Sequence, residues 1–208
     1  MIKNIVFDMG GVIVDVHRDR AVRHFHEIGV IDADILIDAS HHKGIFIDFE
    51  SGSIDTEEFC RLLCKHCGKD ISYEDIEKAW KSIIDPPLAY KLEALRELRK
   101  THRLFLLTNN NPLLMDWACS PEFAPSANGL SDYFDKIYIS YQMKCTKPDL
   151  KIFRMLIADA GIDPAESLYI DDSKRNIQAA SECGFLVLLV KNGEDWRNEL
   201  KNLGTRNK

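Results

Sequence analysis

The sequence predicts an α/β protein built on a doubly wound parallel sheet with an inserted α-helical cap. Three observations carry that prediction. Short apolar runs alternate with amphipathic helical stretches, the pattern of a parallel sheet covered on both faces. A block of about 65 residues with helical periodicity separates the first apolar run from the others. Finally, these runs end on Asp8, on Thr108 and on Asp171-Asp172, and in open α/β sheets ligands bind beyond the carboxyl ends of the strands.

The 208 residues are enough for one domain with a large insertion, and 45% apolar with 29% charged residues reads as soluble and globular. A net charge of -6, with no long Lys/Arg run before the short terminal tail, argues against a nucleic-acid partner. No stretch approaches the roughly 18 apolar residues of a membrane span. The only signal-like stretch is interrupted by Asp8 and two glycines, so the expected location is cytoplasmic, with no membrane partner. The six cysteines are then expected as thiols. Cys60, Cys64 and Cys67 share one helical face with Leu63 while His66 points elsewhere, which favours core packing over a zinc site.

The first strand is Ile5-Val6-Phe7, which delivers Asp8 and breaks on Gly10-Gly11 before a second β-prone run, Val12-Ile13-Val14. Helices are expected over 17–29, 32–40, 43–50, 56–67 and 73–82. Asp55 or Ser53 can cap the fourth of these, and Ser72 with Asp75 starts the fifth. Pro86-Pro87 closes the insertion. The boundaries are therefore 1–15 and 86–208 for the core and 16–85 for the cap. A helix over 88–101, a strand over 103–107, a helix over 112–118 and an irregular segment over 120–128 come next, followed by a strand over 134–139. Lys147-Pro148-Asp149 introduces a helix reaching Gly161, with Pro148 suited to the first helical position. A buried strand over 168–170, a helix over 173–183 stopped by Gly184 and a last strand over 185–190 complete the chain.

If the three strand ends share one edge, Asp8, Asp171 and Asp172 converge, and like charges at short range oppose their own ionisation. A hard divalent cation such as Mg²⁺, together with the Lys147 ammonium, balances them and attracts a phosphate dianion. Thr108 offers a hydroxyl to a phosphoryl oxygen, and backbone amides after Asp8, beginning with Gly11, offer further donors.

With these motifs in that order, the sequence resembles the haloacid dehalogenase-like (HAD) superfamily over essentially its whole length. FDMGGVIVD resembles its first motif, LLTNN its second, TKPD its third and YIDDSKRN its fourth, and the insertion is similar to its helical cap of the first type. The cap and NNNPLLMDWACSPEFA are similar to a branch with bacterial sugar-phosphate phosphatases, including α-glucose-1-phosphate phosphatases, and the phosphatase domain of soluble epoxide hydrolases. The resemblance implies a Mg²⁺-dependent phosphomonoesterase of small phosphorylated metabolites, sugar phosphates above all, working through an aspartyl phosphate on Asp8. It implies Thr108 and Lys147 as the other catalytic residues. Asp8, the Gly10 carbonyl and Asp172 would hold the metal, with Asp171 a direct or water-mediated helper. Asn109 would lie behind the site or touch substrate.

One position departs from the pattern. The superfamily usually has a second aspartate two residues after the nucleophile as general acid and base, and here that residue is Gly10. General acid-base catalysis is worth about 10² to 10⁴ in rate. Three accounts stay open: a substrate with a better leaving group, such as an anomeric sugar phosphate; a proton donor elsewhere, from Asp15, His17, His41, His42 or water; or a fold that binds a phosphorylated ligand or protein partner without turnover. The His41-His42-Lys43-Gly44 corner is the expected substrate-facing part of the cap, with Phe46, Phe49 and Glu50 facing the same way. Trp117 and Phe123 form a candidate interface patch, which leaves monomer and homodimer both open.

Overall fold

Five parallel strands form the centre of the computed structural model, which describes residues 1–38 and 42–200. In chain order they are β1 (Asn4–Phe7), β2 (Arg103–Thr108), β3 (Lys136–Ile139), β4 (Ser167–Asp171) and β5 (Leu186–Leu189), and they lie side by side as β3-β2-β1-β4-β5. The order reverses next to β1, so the crevice of this sheet opens at the end of β1. Phe7 sits opposite Leu106 on one side and Ile170 on the other, which brings Asp8, Thr108 and Asp171 to one edge.

Successive residues of a strand face opposite sides, and both sides here are buried. Ile5, Phe7, Leu104, Leu106, Leu168 and Ile170 belong to one apolar cluster, while Val6, Phe105, Leu107 and Tyr169 belong to another. The first is covered by α6 (Ala89–Leu98) and α7 (Pro112–Ala118) and the second by α9 (Leu150–Ala160) and α10 (Lys174–Glu182). A short helix, α8 (Ser140–Met143), follows β3 directly.

The insertion folds into α1 (Arg18–Glu27), α2 (Ala33–Leu36), α3 (Ile45–Glu50), α4 (Thr56–Cys67) and α5 (Tyr73–Lys81). Its centre is aromatic: Phe25, Phe46, Phe49, Phe59 and Trp80 are all buried, with Phe49 stacked on Phe59 at 4.4 Å. Each such ring contributes about 1.5–3 kcal/mol by leaving water. Asp55 caps α4 by accepting from the Glu58 N–H at 2.8 Å, and Ser72 caps α5 by accepting from Asp75 at 3.1 Å. The chain enters and leaves this layer side by side, through a bridge between Val16 and Ile84 and a 2.6 Å bond from the His17 N–H to the Ile83 carbonyl. Among the described residues no helix is long and apolar enough to cross a membrane.

Several local expectations are corrected. Val12-Ile13-Val14 is not a strand: Ile13 and Val14 donate back to the Met9 carbonyl, closing a compact turn that Gly11 enters with φ +72°. That turn is held from below, because the buried Lys91 ammonium and the Trp196 indole both donate to the Val12 carbonyl. Pro148 lies outside α9, because Asp149 takes the capping position and accepts from the Lys151 N–H at 2.8 Å. Phe46 and Phe49 face the cap core instead of substrate. Trp117 and Phe123 form no exposed patch, since Phe123 is buried and the two rings pack edge to face at 4.9 Å.

Candidate active site

A cavity of about 180 Å³ lies between the sheet edge and the helical layer. Its floor begins with Asp8, the residue after β1, whose N–H donates to Ile170 at 2.8 Å and which is only 8% exposed. Lys147 reaches the same point from the segment before α9. Its Nζ stands 2.8 Å from Asp8 Oδ1 and 2.9 Å from Asp171 Oδ2, and the whole residue is 2% exposed. The backbone of Lys147 is gripped at both ends by one side chain, Asn109, which donates to its carbonyl at 2.9 Å and accepts from its N–H at 2.8 Å. Thr108, the last residue of β2, is buried in the cavity wall beside them.

Asp8, Asp171 and Asp172 each offer an oxygen within 4.8 Å of the other two. Burial pushes the Asp8 carboxyl up to about 8, with Lys147 opposing and the Asp171 and Asp172 charges adding to the rise. Burial and then Asp171 push Asp172 up to about 6. Burial opposes the Lys147 ammonium, but the Asp171 and Asp8 carboxylates outweigh it and raise its pKa. Three acids against one ammonium leave the cluster short of positive charge, the condition in which a carboxylate group fits a cation.

The three acids are not equivalent. Asp171 already accepts from four groups: Lys147, the Tyr169 hydroxyl, the Ser173 N–H at 2.7 Å and the Asn176 amide at 3.1 Å. Burial foremost, and the Asp171 charge with it, keep the Tyr169 phenol protonated as a donor. Asp171 therefore orients Lys147, while Asp8 and Asp172 retain open oxygens. Gly11 has no room for a side chain on this side, because a Cβ there would fall 2.1 Å from Asp172 Oδ2.

The opposite wall belongs to the insertion. Val16, Asp38, His42, Glu50 and Trp80 line it, and His42 Nδ1 stands 3.0 Å from Glu50 Oε1. Glu50 is in turn tied to the sheet edge. Ser140 Oγ donates to its carbonyl at 2.6 Å and accepts from the Asn110 N–H at 2.9 Å. Lys144 binds the nearby Gly52 carbonyl at 2.5 Å.

A family profile described as haloacid dehalogenase-like hydrolase matches residues 2–184. The chain belongs to that family. This hydrolase is 44% identical over 200 residues to a D-ribitol-5-phosphate phosphatase of Bacteroides thetaiotaomicron, covering 96% of this chain and 97% of the relative. Among solved structures it is similar to a predicted HAD-like family hydrolase from Porphyromonas gingivalis, with a TM-score of 0.93 and 41% identity over 98% of both chains. It is also similar to a HAD family enzyme from Bacteroides thetaiotaomicron, an aspartate-to-alanine mutant in complex with magnesium and inorganic phosphate. There the TM-score is 0.91 and the identity 36%, over 96% of this chain and 99% of the other.

Within the hydrolase, Asp8, Gly10, Thr108, Asn109 and Lys147 all line one cavity, and Asp171 and Asp172 join Asp8 at its floor. Two expected substrate contacts, Gly11 and Lys43, do not line the cavity, and the Gly11 N–H donates instead to the Val14 carbonyl at 2.8 Å. Lys43 is largely exposed, its Nζ 3.6 Å from Asp38, and does not line the cavity, because the turn at Gly44 directs the chain into α3 behind it. His41 lies outside the described residues. Asp15 and His17 also miss the cavity: Asp15 faces Lys91 at 3.6 Å, and His17 is paired with Asp85 at 2.6 Å. Sequence reasoning missed Tyr169, Asn176, Ser140 and Asn110. Tyr169 reads as core in an apolar strand, whereas Asn176, one helical turn beyond Asp172, carried a signal in its spacing.

Proposed function

We propose that this hydrolase is a Mg²⁺-dependent phosphatase of a small sugar or sugar-alcohol phosphate, acting through an aspartyl phosphate on Asp8. The observation that carries the reading is Asp8 itself, buried at the crevice with one oxygen against Lys147 and the two other acids within 4.8 Å. The cavity supports a small substrate, since pockets for drug-sized ligands run to roughly 300–1,000 Å³ and this one holds about 180 Å³.

Asp8 Oδ attacks phosphorus, the ester P–O bond breaks with its electron pair going to the leaving oxygen, and water then hydrolyses the acyl phosphate. Lys147 neutralises charge at the attacking carboxylate, and the Thr108 hydroxyl donates to a phosphoryl oxygen. Asp8, Asp172 and the Gly10 carbonyl would hold the metal, and the crowding of unbalanced acids supports that fit. Bound there, Mg²⁺ supplies the positive charge that lets a phosphate dianion approach a carboxylate. The ribitol-5-phosphate phosphatase named above acts on the ester of a primary alcohol, not of an anomeric oxygen. A primary-alcohol substrate for this chain has a poor leaving group and, with Gly10 unable to move a proton, would need a proton source elsewhere.

Phosphate release from ribitol 5-phosphate, glucose 1-phosphate, glucose 6-phosphate and flavin mononucleotide tests the reading. The expected result is Mg²⁺-dependent turnover of the small sugar esters, ribitol 5-phosphate foremost, and loss of that activity in EDTA. Equal rates with and without EDTA would remove the metal from the reading. Binding of these esters without any release would replace the enzyme by a phosphate-ligand binder.

Gly11→Ala tests the metal end separately. Its Cβ would enter a strained φ of +72° and press on Asp172. We expect the Mg²⁺ concentration for half-maximal activity to rise about 10- to 100-fold, the usual cost of disturbing a ligand's support. An unchanged Mg²⁺ titration would argue against Asp172 as a ligand.

A further inference from the structure

Building on the phosphatase reading, we infer that His42, positioned by Glu50, carries the proton that Gly10 cannot. The position of the usual acid is crowded. A Cβ on Gly10 would already lie 3.0 Å from Val16 Cγ2, so the apolar Val16 side chain stands beside that position. Among the described residues lining the cavity, the titratable groups are Asp8, Asp38, His42, Glu50 and Lys147. Asp8 is the nucleophile and Lys147 is committed to Asp8 and Asp171. Asp38 is more exposed, near Lys43.

His42 and Glu50 are the enclosed pair, with side chains 14% and 10% exposed and an Nδ1 to Oε1 separation of 3.0 Å. At this ion-pair distance the carboxylate favours the charged imidazolium on the Nδ1 side and leaves Nε2 to exchange a proton. The rings of Phe46 and Trp80 pack around His42 at 6.4 and 5.7 Å. Glu50 does not float with the cap, because its carbonyl is bound by Ser140 at the end of β3. Burial opposes the imidazolium, but Glu50 outweighs it, with Asp38 adding and Arg18 opposing, so the ring's pKa is raised.

In the first step His42 Nε2–H gives its proton to the leaving alkoxide as the P–O bond breaks. In the second the neutral ring takes a proton from the water that attacks the aspartyl phosphate, which restores the starting state. His42 therefore acts in both steps, and the second is the same for every substrate.

The experiment compares wild type, His42→Gln, Glu50→Gln and Asp8→Asn with Mg²⁺, on ribitol 5-phosphate and on p-nitrophenyl phosphate. His42→Gln is expected to lose about 10² to 10⁴ in rate on ribitol 5-phosphate. On p-nitrophenyl phosphate, whose leaving group needs no proton, it should release one p-nitrophenolate per enzyme in a burst and then stall with phosphate on the protein. A His42 that only contacts substrate hydroxyls predicts no burst and a steady rate within about threefold of wild type; that result overturns the inference. Glu50→Gln keeps the ring but removes the charge that favours its protonated form. The alkaline limb of kcat/KM on ribitol 5-phosphate should then move to lower pH; an unmoved limb would overturn the pairing. Activity in wild type and none in Asp8→Asn secures the phosphatase reading independently. An inactive wild type would overturn that reading and this inference together.

Discussion

Asp8→Asn is expected to abolish phosphate release, by a factor of about 10⁴ or more, as removal of a covalent nucleophile does in other enzymes. The amide is too weak a nucleophile to form an acyl phosphate. The more informative consequence concerns stability. Burial raises the Asp8 carboxyl to about 8, so its charged form is disfavoured in the metal-free fold; an amide of the same shape removes that cost, and Asp171 still holds Lys147 at 2.9 Å. Without metal, the variant should melt at or above the wild-type temperature, a gain obtained by discarding function. Mg²⁺ adds the second half of the test. A cation at 100 times its dissociation constant stabilises by about 2.7 kcal/mol, or roughly 5–10 °C for a protein of this size. Wild type should show that rise and Asp8→Asn a smaller one. Equal rises, followed by calorimetry, would mean that Asp8 is not a metal ligand.

Lys147→Met should damage both folding and turnover. Methionine matches the length of the lysine stem but carries no charge, and it leaves Asp8 and Asp171 buried without their cation. Breaking a buried pair costs about 3–5 kcal/mol, which corresponds to roughly 6–20 °C in melting temperature. The lower end is expected, because Asp171 keeps Tyr169, Ser173 and Asn176 as donors. Turnover should fall by about 10² to 10³, the loss of one charge-stabilising donor. Mg²⁺ should restore part of the stability and little of the activity. A melting temperature within 2 °C of wild type would show that Lys147 contributes far less to the fold than its burial suggests, using the same conversion.

His42 and Glu50 were both expected to face substrate, but their pairing at 3.0 Å is not fixed by any spacing in the chain. His42 and Glu50 are eight residues apart, beyond a single helix's reach, and Gly44 intervenes between them. Only the turn at Gly44 and the tie from Ser140 to Glu50 aim that pair into the cavity. The same limit explains why Phe46 and Phe49 were expected near substrate. Periodicity identifies an apolar face, but which neighbour covers it is decided by packing, here by Phe25, Phe59 and Trp80.

Other features were legible because a single local force decides them. All five strands and the insertion's helices follow from period and breakers, and Asp55 and Ser72 cap where short polar side chains meet a free N–H. Asp8, Thr108 and the Asp171-Asp172 pair were readable because acids and donors at the ends of buried strands have few reasons to be there except a ligand, and Lys147 was singled out by its place before Pro148 in the order of the motifs. The run Val12-Ile13-Val14 misled for the opposite reason: its β propensity is real, but Gly11, Lys91 and Trp196 fold it into a turn.

The sequence by itself determined the sheet, the helical insertion and the identity of the groups at the strand ends, since these rest on residue spacing and on what each side chain can donate or accept. Tertiary structure decided which of three adjacent acids are saturated and which are open, and which cap residues reach the cavity. Those outcomes depend on long-range partners: Tyr169 and Asn176 around Asp171, Asn109 around Lys147, and Ser140 beneath Glu50. A hydrogen bond across the fold is a matter of a few tenths of an ångström, and spacing along a chain carries no such measure.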